Sequence, residues 1–145
     1  MHGDPRYARE AMMERHEHMV LLVDDHEEAR DALAMLLRNE GFAVREANDG
    51  QEALDALYDG PRPCLVVLDL MMPGMDGWEF RRRQLRSPLF ARIPTVVLSG
   101  HANLSAAATG LSAHDVLPKP VAFGRLLELV RDYCPRGSSP HQKND

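Results

Sequence analysis

Asp24 and Asp25 stand after the apolar run Met19 to Val23, Asp69 after Cys64 to Leu68, Ser99 after Ile93 to Leu98, and Lys119-Pro120 after Val116 to Leu117. Carboxylates, a hydroxyl and an ammonium at the ends of successive strand-like runs lie where open α/β sheets bind ligands, so they are expected along one edge. Two carboxylates about 4 Å apart repel by about 4 kcal/mol at an effective dielectric of about 20, so Asp24, Asp25 and Asp69 in one crevice must take up protons or recruit a cation. Mg²⁺ answers that need, because it takes oxygen ligands, keeps several waters and requires no His or Cys. Beside such an ion an ionised Asp can act as a nucleophile toward phosphorus, the metal offsetting the charge of an incoming phosphoryl group. Lys119 would supply a second cation from the last strand.

The elements that must position these residues alternate along the chain. Met19 to Val23 reads as a continuous apolar strand, and the helix after it carries Ala29, Ala32, Leu33, Leu36 and Leu37 on one face. Asp25 and Glu28 resemble a capping box at its start, and Gly41 suits its C-terminal stop. Phe42, Val44 and Glu46 alternate as a short strand, followed by a helix marked by Ala53, Leu54 and Leu57, opened by Asn48 or Asp49 and ended by Gly60-Pro61. Cys64 to Leu68 is a third strand, Trp78 to Leu85 a third helix, Ile93 to Leu98 a fourth strand, Leu104 to Leu111 a weaker helix and Val116 to Leu117 a fifth strand. Phe123, Leu126, Leu127 and Val130 give the last helix its apolar face. Five alternating units imply a parallel sheet covered on both faces. Right-handed crossovers favour the order 2-1-3-4-5, with the alternating second strand at an edge and strands one and three adjacent at the switch point.

A chain of 145 residues is one domain of ordinary size. Residues 1–18 read as a polar extension, 19–134 as the folded domain, and 135–145, PRGSSPHQKND, as a disordered tail. The net charge of -5 argues against a nucleic-acid or anionic-membrane surface and for a protein partner. No apolar stretch approaches the roughly 20 residues that span a bilayer and no signal peptide is recognisable, which makes the cytoplasm the expected compartment. Cys64 and Cys134 form no short-spaced pair and read as two buried or idle thiols. Arg81, Arg82, Arg83 and Arg86 read as a solvated helix face, and Asp76 and Glu79 as helix-start charges complementing the dipole.

Over roughly residues 18 to 134 the chain resembles the receiver domain of bacterial two-component response regulators, either a stand-alone receiver of the chemotaxis-regulator kind or one excised from a larger regulator or hybrid kinase. The resemblance implies a flavodoxin-like, doubly wound α/β fold with a five-stranded parallel sheet and five helices. It further implies Mg²⁺ held by Asp24, Asp25, Asp69 and the backbone carbonyl of Met71, with Asp69 as phosphoacceptor, Ser99 as the switch hydroxyl and Lys119 as the phosphate's cation before a typically cis Pro120. The segment Asp69-Leu70-Met71-Met72-Pro73-Gly74-Met75-Asp76-Gly77 is similar to the loop after the family's phosphoacceptor. The implied partner is a histidine kinase or phosphotransfer protein, and the implied activity is self-phosphorylation from phosphohistidine followed by slow self-hydrolysis. Phosphorylation in such a module selects an active conformer that controls a protein partner. Met71 and His101 fall where the family flanks the path of attacking water; Met71 offers no group to orient it, which suggests a long-lived phosphate. Val116 stands where the family usually has a Tyr or Phe that turns inward on activation, so the aromatic part of the switch is missing.

Each of these residues also has a plain structural reading. Asp25 could be an N-cap, Asp69 and Asp76 loop or cap residues, Ser99 a turn hydroxyl and Pro120 a trans proline opening a helix. Together those readings require several coincidences of type, order and placement, and Asp24, last in its strand, has no cap role in them. Among competing functions, a Mg²⁺-dependent phosphohydrolase with an aspartyl nucleophile, as in haloacid-dehalogenase-like enzymes, needs an acid two positions after the nucleophile. Asp24 and Asp69 are followed there by His26 and Met71, and only Asp25, followed by Glu27, comes near. An FMN binder of the same fold class would need a Ser/Thr/Gly-rich phosphate loop where this chain has Asp24-Asp25-His26-Glu27-Glu28. A receiver-shaped module that works without phosphorylation is the third reading, motivated by Val116. The stretch His101 to Ala113 lacks Lys, Arg and Glu, which speaks against a charged dimer face there.

Overall fold

In the computed structural model, which describes residues 19–72, 74–100 and 110–135, the strands are β1 (Met19–Val23), β2 (Ala43–Ala47), β3 (Leu65–Asp69), β4 (Thr95–Ser99) and β5 (Asp115–Pro118). Between and after them run α1 (Glu27–Asn39), α2 (Gly50–Asp59), α3 (Gly77–Arg86) and α4 (Phe123–Tyr133). All strand pairs are parallel and the order is β2-β1-β3-β4-β5, as the alternating pattern predicts. β1, β3 and β4 are buried along their whole length, whereas β2 alternates and lies at an edge. β4 begins at Thr95 rather than Ile93, since Pro94 has no amide hydrogen for the ladder. The expected extension at 1–18, His101, most of the helix expected over 104–111, and all of the tail but Pro135 lie outside the described residues.

Successive strand residues face opposite sides of the sheet, and each side is filled by its own helices. Val20, Leu22, Leu65, Val67, Val96, Leu98 and Leu117 pack against Ala34 and Leu37 of α1 and Leu126, Leu129 and Val130 of α4. Leu21, Val23, Val66 and Leu68 pack on the other side against Ala53 and Leu57 of α2 and Phe80 of α3. A smaller cluster joins Leu70, Val97 and Leu111 to the half-buried Trp78, Ala113 and Val116. No helix among the described residues is long and apolar enough to cross a membrane.

Helix termini follow their sequence signals with one exception. Gly41, at φ 96°, takes the left-handed conformation that turns the chain after α1. Asp49 caps α2 by accepting from the Glu52 amide at 2.8 Å while the Asn48 amide donates to Glu52 Oε1, and Asp76 caps α3 through the Glu79 amide at 3.0 Å. The capping box expected from Asp25 and Glu28 does not form: the N-cap of α1 is His26, with no side-chain cap hydrogen bond. The helix starts one residue later than expected, and Asp24 Oδ1 accepts the His26 amide at 2.9 Å. Asp24 therefore has a local turn role that the sequence reading did not give it.

Two further expectations are corrected. Cys64 and Cys134 are not idle thiols but are joined in a disulfide across 70 residues, with their Cα atoms 5.4 Å apart. α4 runs back over the sheet, so its C-terminal end meets the N-terminal end of β3; that proximity belongs to the topology and leaves no trace in local spacing. Arg81 is not on a solvated face. It is 1% exposed, and its guanidinium donates to the carbonyls of Leu111 and Ser112, to Gln84 Oε1 and to Thr95 Oγ1 at 2.8–3.0 Å. Arg82, Arg83 and Arg86 are exposed as expected, and Arg82 and Arg83 both pair with Glu79.

The same junction holds His114, whose Nδ1 accepts the Thr95 amide at 3.1 Å while its own amide donates to the Thr95 carbonyl. Burial, followed by the Arg81 charge, holds the His114 ring below its ordinary 6.5, with Asp115 opposing. Folding therefore favours the neutral ring; this contribution is complete above pH 6.5 and is lost as pH falls through the depressed value. We expect the wild type to lose thermal stability between pH 7 and pH 5 more steeply than His114→Asn, with Tm measured across that interval as the check.

Candidate functional site

The sheet register brings the polar strand ends level. Val23 lies opposite Leu68, Asp69 opposite Leu98, and Ser99 opposite Pro118, so Asp24, Asp69, Ser99 and Lys119 emerge together at the carboxyl edge. The β1–α1 turn is braced by Arg30, which the sequence reading did not single out. Its guanidinium donates to the Asp24 carbonyl at 2.8 Å and to Glu46 Oε1 at 2.9 Å, tying α1 and β2 to the acidic turn. A basic residue one helical turn beyond an acidic pair is the only sequence signal it carries.

The loop after β3 returns upon itself. The Gly77 amide donates to the Leu70 carbonyl at 3.0 Å, and a Cβ on Gly77 would lie 2.6 Å from the Asp69 carbonyl oxygen, so only glycine fits that approach. α3 thus starts directly against the backbone of Asp69.

Asp69 is 1% exposed, and its Oδ1 lies 2.8 Å from Lys119 Nζ and accepts a long bond, 3.4 Å, from the Met71 amide. Its Oδ2 is buried with no hydrogen-bond partner among the described residues. Burial pushes the Asp69 carboxyl above its ordinary 3.8; the hydrogen bond and charge of Lys119 oppose that shift, and the neighbouring Asp24 charge adds to it. Asp25 Oδ1 is a second buried oxygen with no hydrogen-bond partner among the described residues, and His26 Nδ1 lies 3.8 Å from it. Lys119 is two-thirds buried and precedes a cis bond to Pro120.

Asp24, Asp25 and His26 offer donor atoms within 4.8 Å of one another. This group includes His26, which the sequence reading considered only as a misplaced catalytic acid. Asp69 is not part of the group but faces Asp24 closely enough for their charges to interact. Hard carboxylate oxygens, two of them buried and without a hydrogen-bond partner among the described residues, fit a Mg²⁺ ion, which would relieve the repulsion among them. Beside the acids, Asp24, His26, Ala29, Ala32, Leu33, Lys119, Pro120 and Val121 line a cleft of about 430 Å³ between α1 and the β5–α4 turn.

The remaining predicted residues are less committed. Ser99 is buried, and its hydroxyl donates to the adjacent Gly100 carbonyl at 3.2 Å rather than to Asp69. Met71 is exposed, and Val116 is half-buried in the cluster with Leu70 and Trp78.

The chain is similar to known proteins over most of its length. The family described as response regulator receiver domain matches residues 20–131. Response regulator MprA of Mycobacterium sp. strain KMS is 41% identical over 128 residues, covering 87% of this chain and 54% of that protein. The MprA of Mycolicibacterium vanbaalenii is 44% identical over 114 residues, covering 77% of this chain and 48% of that protein. The chain thus spans about half the length of these curated relatives. Among solved structures, a CheY-like response regulator receiver domain protein from Methanospirillum hungatei JF-1 superposes with a TM-score of 0.72 at 33% identity, covering 82% of this chain and 95% of that one. A response regulator receiver protein from Pseudomonas putida gives a TM-score of 0.72 at 33% identity, covering 79% and 95%.

Proposed function

Since the chain belongs to the response regulator receiver domain family, we propose that it accepts a phosphoryl group on Asp69 from the phosphohistidine of a histidine kinase or phosphotransfer protein and changes conformation to control a protein partner. The observation that carries this reading is the split environment of Asp69: Oδ1 is held by Lys119, while Oδ2 is buried, has no hydrogen-bond partner among the described residues and is available as nucleophile. Attack by Oδ2 forms an O–P bond as the donor's N–P bond breaks, and the departing imidazole keeps that electron pair and takes a proton from solvent. Lys119 stays beside the carboxyl and balances the charge brought by the phosphoryl oxygens. Mg²⁺, held by Asp24, Asp25, Asp69 and the Met71 carbonyl, would supply charge neutralisation at the same oxygens.

Ser99 takes the part of the switch hydroxyl, its O–H redirecting its hydrogen bond from the Gly100 carbonyl to a phosphoryl oxygen. Met71 and His101 set the lifetime of the phosphate, which the apolar Met71 side chain makes long. The apolar cleft beside Asp24 and Lys119 suits a helix of the phosphodonor, because it lies next to the nucleophile and is lined by the small side chains Ala29 and Ala32. We place this chemistry in the cytoplasm of a bacterium, where such donors operate.

The test is incubation with Mg²⁺ and acetyl phosphate followed by intact-mass analysis: the protein should gain one phosphoryl group, and the Asp69→Asn variant none. A wild type that stays unmodified with both acetyl phosphate and a phosphorylated kinase would leave the phosphorylation-independent module, for which Val116 speaks. The metal is tested separately. Mg²⁺ should raise the Tm of the wild type in a concentration-dependent way, and Asp25→Asn should require about tenfold more ion for the same shift; equal titrations of the two proteins would remove Asp25 from the ligand set.

A further inference from the structure

Arg81 is a buried cation. No carboxylate among the described residues pairs with it, and its hydrogen bonds go to Leu111 O, Ser112 O, Gln84 Oε1 and Thr95 Oγ1. A charge in that position is costly unless its donors are satisfied, so its retention needs a reason beyond filling space. An apolar side chain would fill the same volume, and the charge is better matched to holding a segment of backbone in place.

The segment it holds leads into β5. Leu111 and Ser112 precede Ala113, His114 and the strand Asp115–Pro118, which delivers Lys119 to Asp69. At the other end, α3 begins at Gly77 against the Asp69 carbonyl and bonds Leu70, and Arg81 follows one helical turn later. The contacts therefore close a circuit from Asp69 through Leu70 and Gly77 to Arg81, across to Leu111 and Ser112, along β5 to Lys119, and back to Asp69 at 2.8 Å. Trp78, the single tryptophan of the chain, packs inside this circuit with Leu70, Leu111 and Val116. Its ring lies against Gly110, where an added Cβ would be 3.4 Å from Cζ3.

We propose that Arg81 is a positioning residue of the switch, a clamp between α3 and the entry to β5 that carries a change at the Asp69–Lys119 pair to residues 110–116, where Val116 supplies no ring to do so. This rests on the phosphoacceptor reading of Asp69. Gln84 and Thr95 complete the clamp by fixing the guanidinium plane from α3 and from the start of β4.

The experiment compares wild type, Arg81→Met and Arg81→Lys, each free and loaded with beryllofluoride and Mg²⁺, by Trp78 fluorescence and by hydrogen exchange over 110–116. Phosphoryl uptake from acetyl phosphate is measured by intact mass on the same preparations. Loading should alter both readouts in the wild type. Arg81→Met should still take phosphate, should exchange about tenfold faster or more at 110–116 in both states, as expected for loss of charged hydrogen bonds, and should lose the Trp78 response. Arg81→Lys, with donors too few for both carbonyls and the side-chain oxygens, should not restore it. Wild-type protection and response in Arg81→Met would overturn the proposal, as would a loaded wild type unchanged at both readouts, a result that decides the matter even if Arg81→Met does not fold. A wild type that gains no phosphate defeats the phosphoacceptor reading and the coupling with it, whereas phosphate uptake with an unchanged 110–116 segment defeats the coupling alone.

Discussion

Asp69→Asn is expected to abolish phosphoryl uptake completely and, at neutral pH, to make the protein more stable. The loss follows from chemistry, since an amide oxygen does not form the acyl phosphate under these conditions. The gain follows from burial. The folded state holds the Asp69 carboxyl above its ordinary 3.8, so this group's contribution is complete below that pH and disappears as pH rises through the elevated value. At pH 7 the ionised carboxylate therefore opposes folding, and a neutral isostere removes the penalty. Lys119, being one-third exposed, can turn its ammonium to water when its partner is gone. A rise in Tm of about 2–5 °C is expected.

Lys119→Met should move stability the other way, because it strands an ionised Asp69 that is 1% exposed and has only the long Met71 amide bond left; a loss of about 3 kcal/mol is expected at pH 7. Thermal unfolding of the two variants and of the double variant checks both signs. If Asp69→Asn melted below wild type at pH 7 and above it at pH 4, the account of its burial would be wrong.

Breaking the bond between Cys64 and Cys134 should cost the fold on the order of 4 kcal/mol. The bond closes a loop across 70 residues, and the chain-entropy stabilisation grows with the logarithm of loop length. Cys134 is also almost fully buried in the cluster of α1, α4 and the sheet, so Cys134→Ser adds an unpaired hydroxyl to the cost. In a chain of this size a loss on that order lowers Tm by roughly 10 °C. The comparison is urea unfolding of oxidised protein, protein reduced with dithiothreitol, and Cys134→Ser. Identical midpoints for the first two would mean that the pair contributes nothing. A reducing cytoplasm keeps such pairs as thiols, so the difference also measures how far stability depends on the redox state of the compartment.

Most of the candidate site was legible in the sequence, because its residues are adjacent to strand ends. Continuous apolar runs mark buried parallel strands, a parallel strand exposes its ligand edge at its carboxyl end, and a sheet of the predicted order lines up those ends. Asp24, Asp25, Asp69, Ser99 and Lys119 thus follow from local pattern together with topology. The helix caps at Asp49 and Asp76 are local in the same sense, since an Asp side chain reaches an amide three residues on. Even locally the reading failed at α1, where Asp25 looked like the cap while Asp24 took up the His26 amide and shifted the helix start by one residue.

What the amino-acid order alone determined was the element alternation, the strand order and the identity of the residues at the carboxyl edge, because each depends on periodicity or on neighbours a few positions apart. Tertiary structure alone decided which side chains are taken out of water and what they meet there. Arg81 sits in a run of arginines, yet the step of about 100° between successive helix positions points it at Leu111 and Ser112, thirty or more residues away, while Arg82 and Arg83 stay in solvent. Cys64 and Cys134 meet because α4 returns across the sheet, and Arg30 reaches the Asp24 carbonyl because α1 lies over the edge of β2. Contacts between residues far apart in sequence depend on how packed elements are oriented in space, and no spacing along the chain encodes that orientation directly.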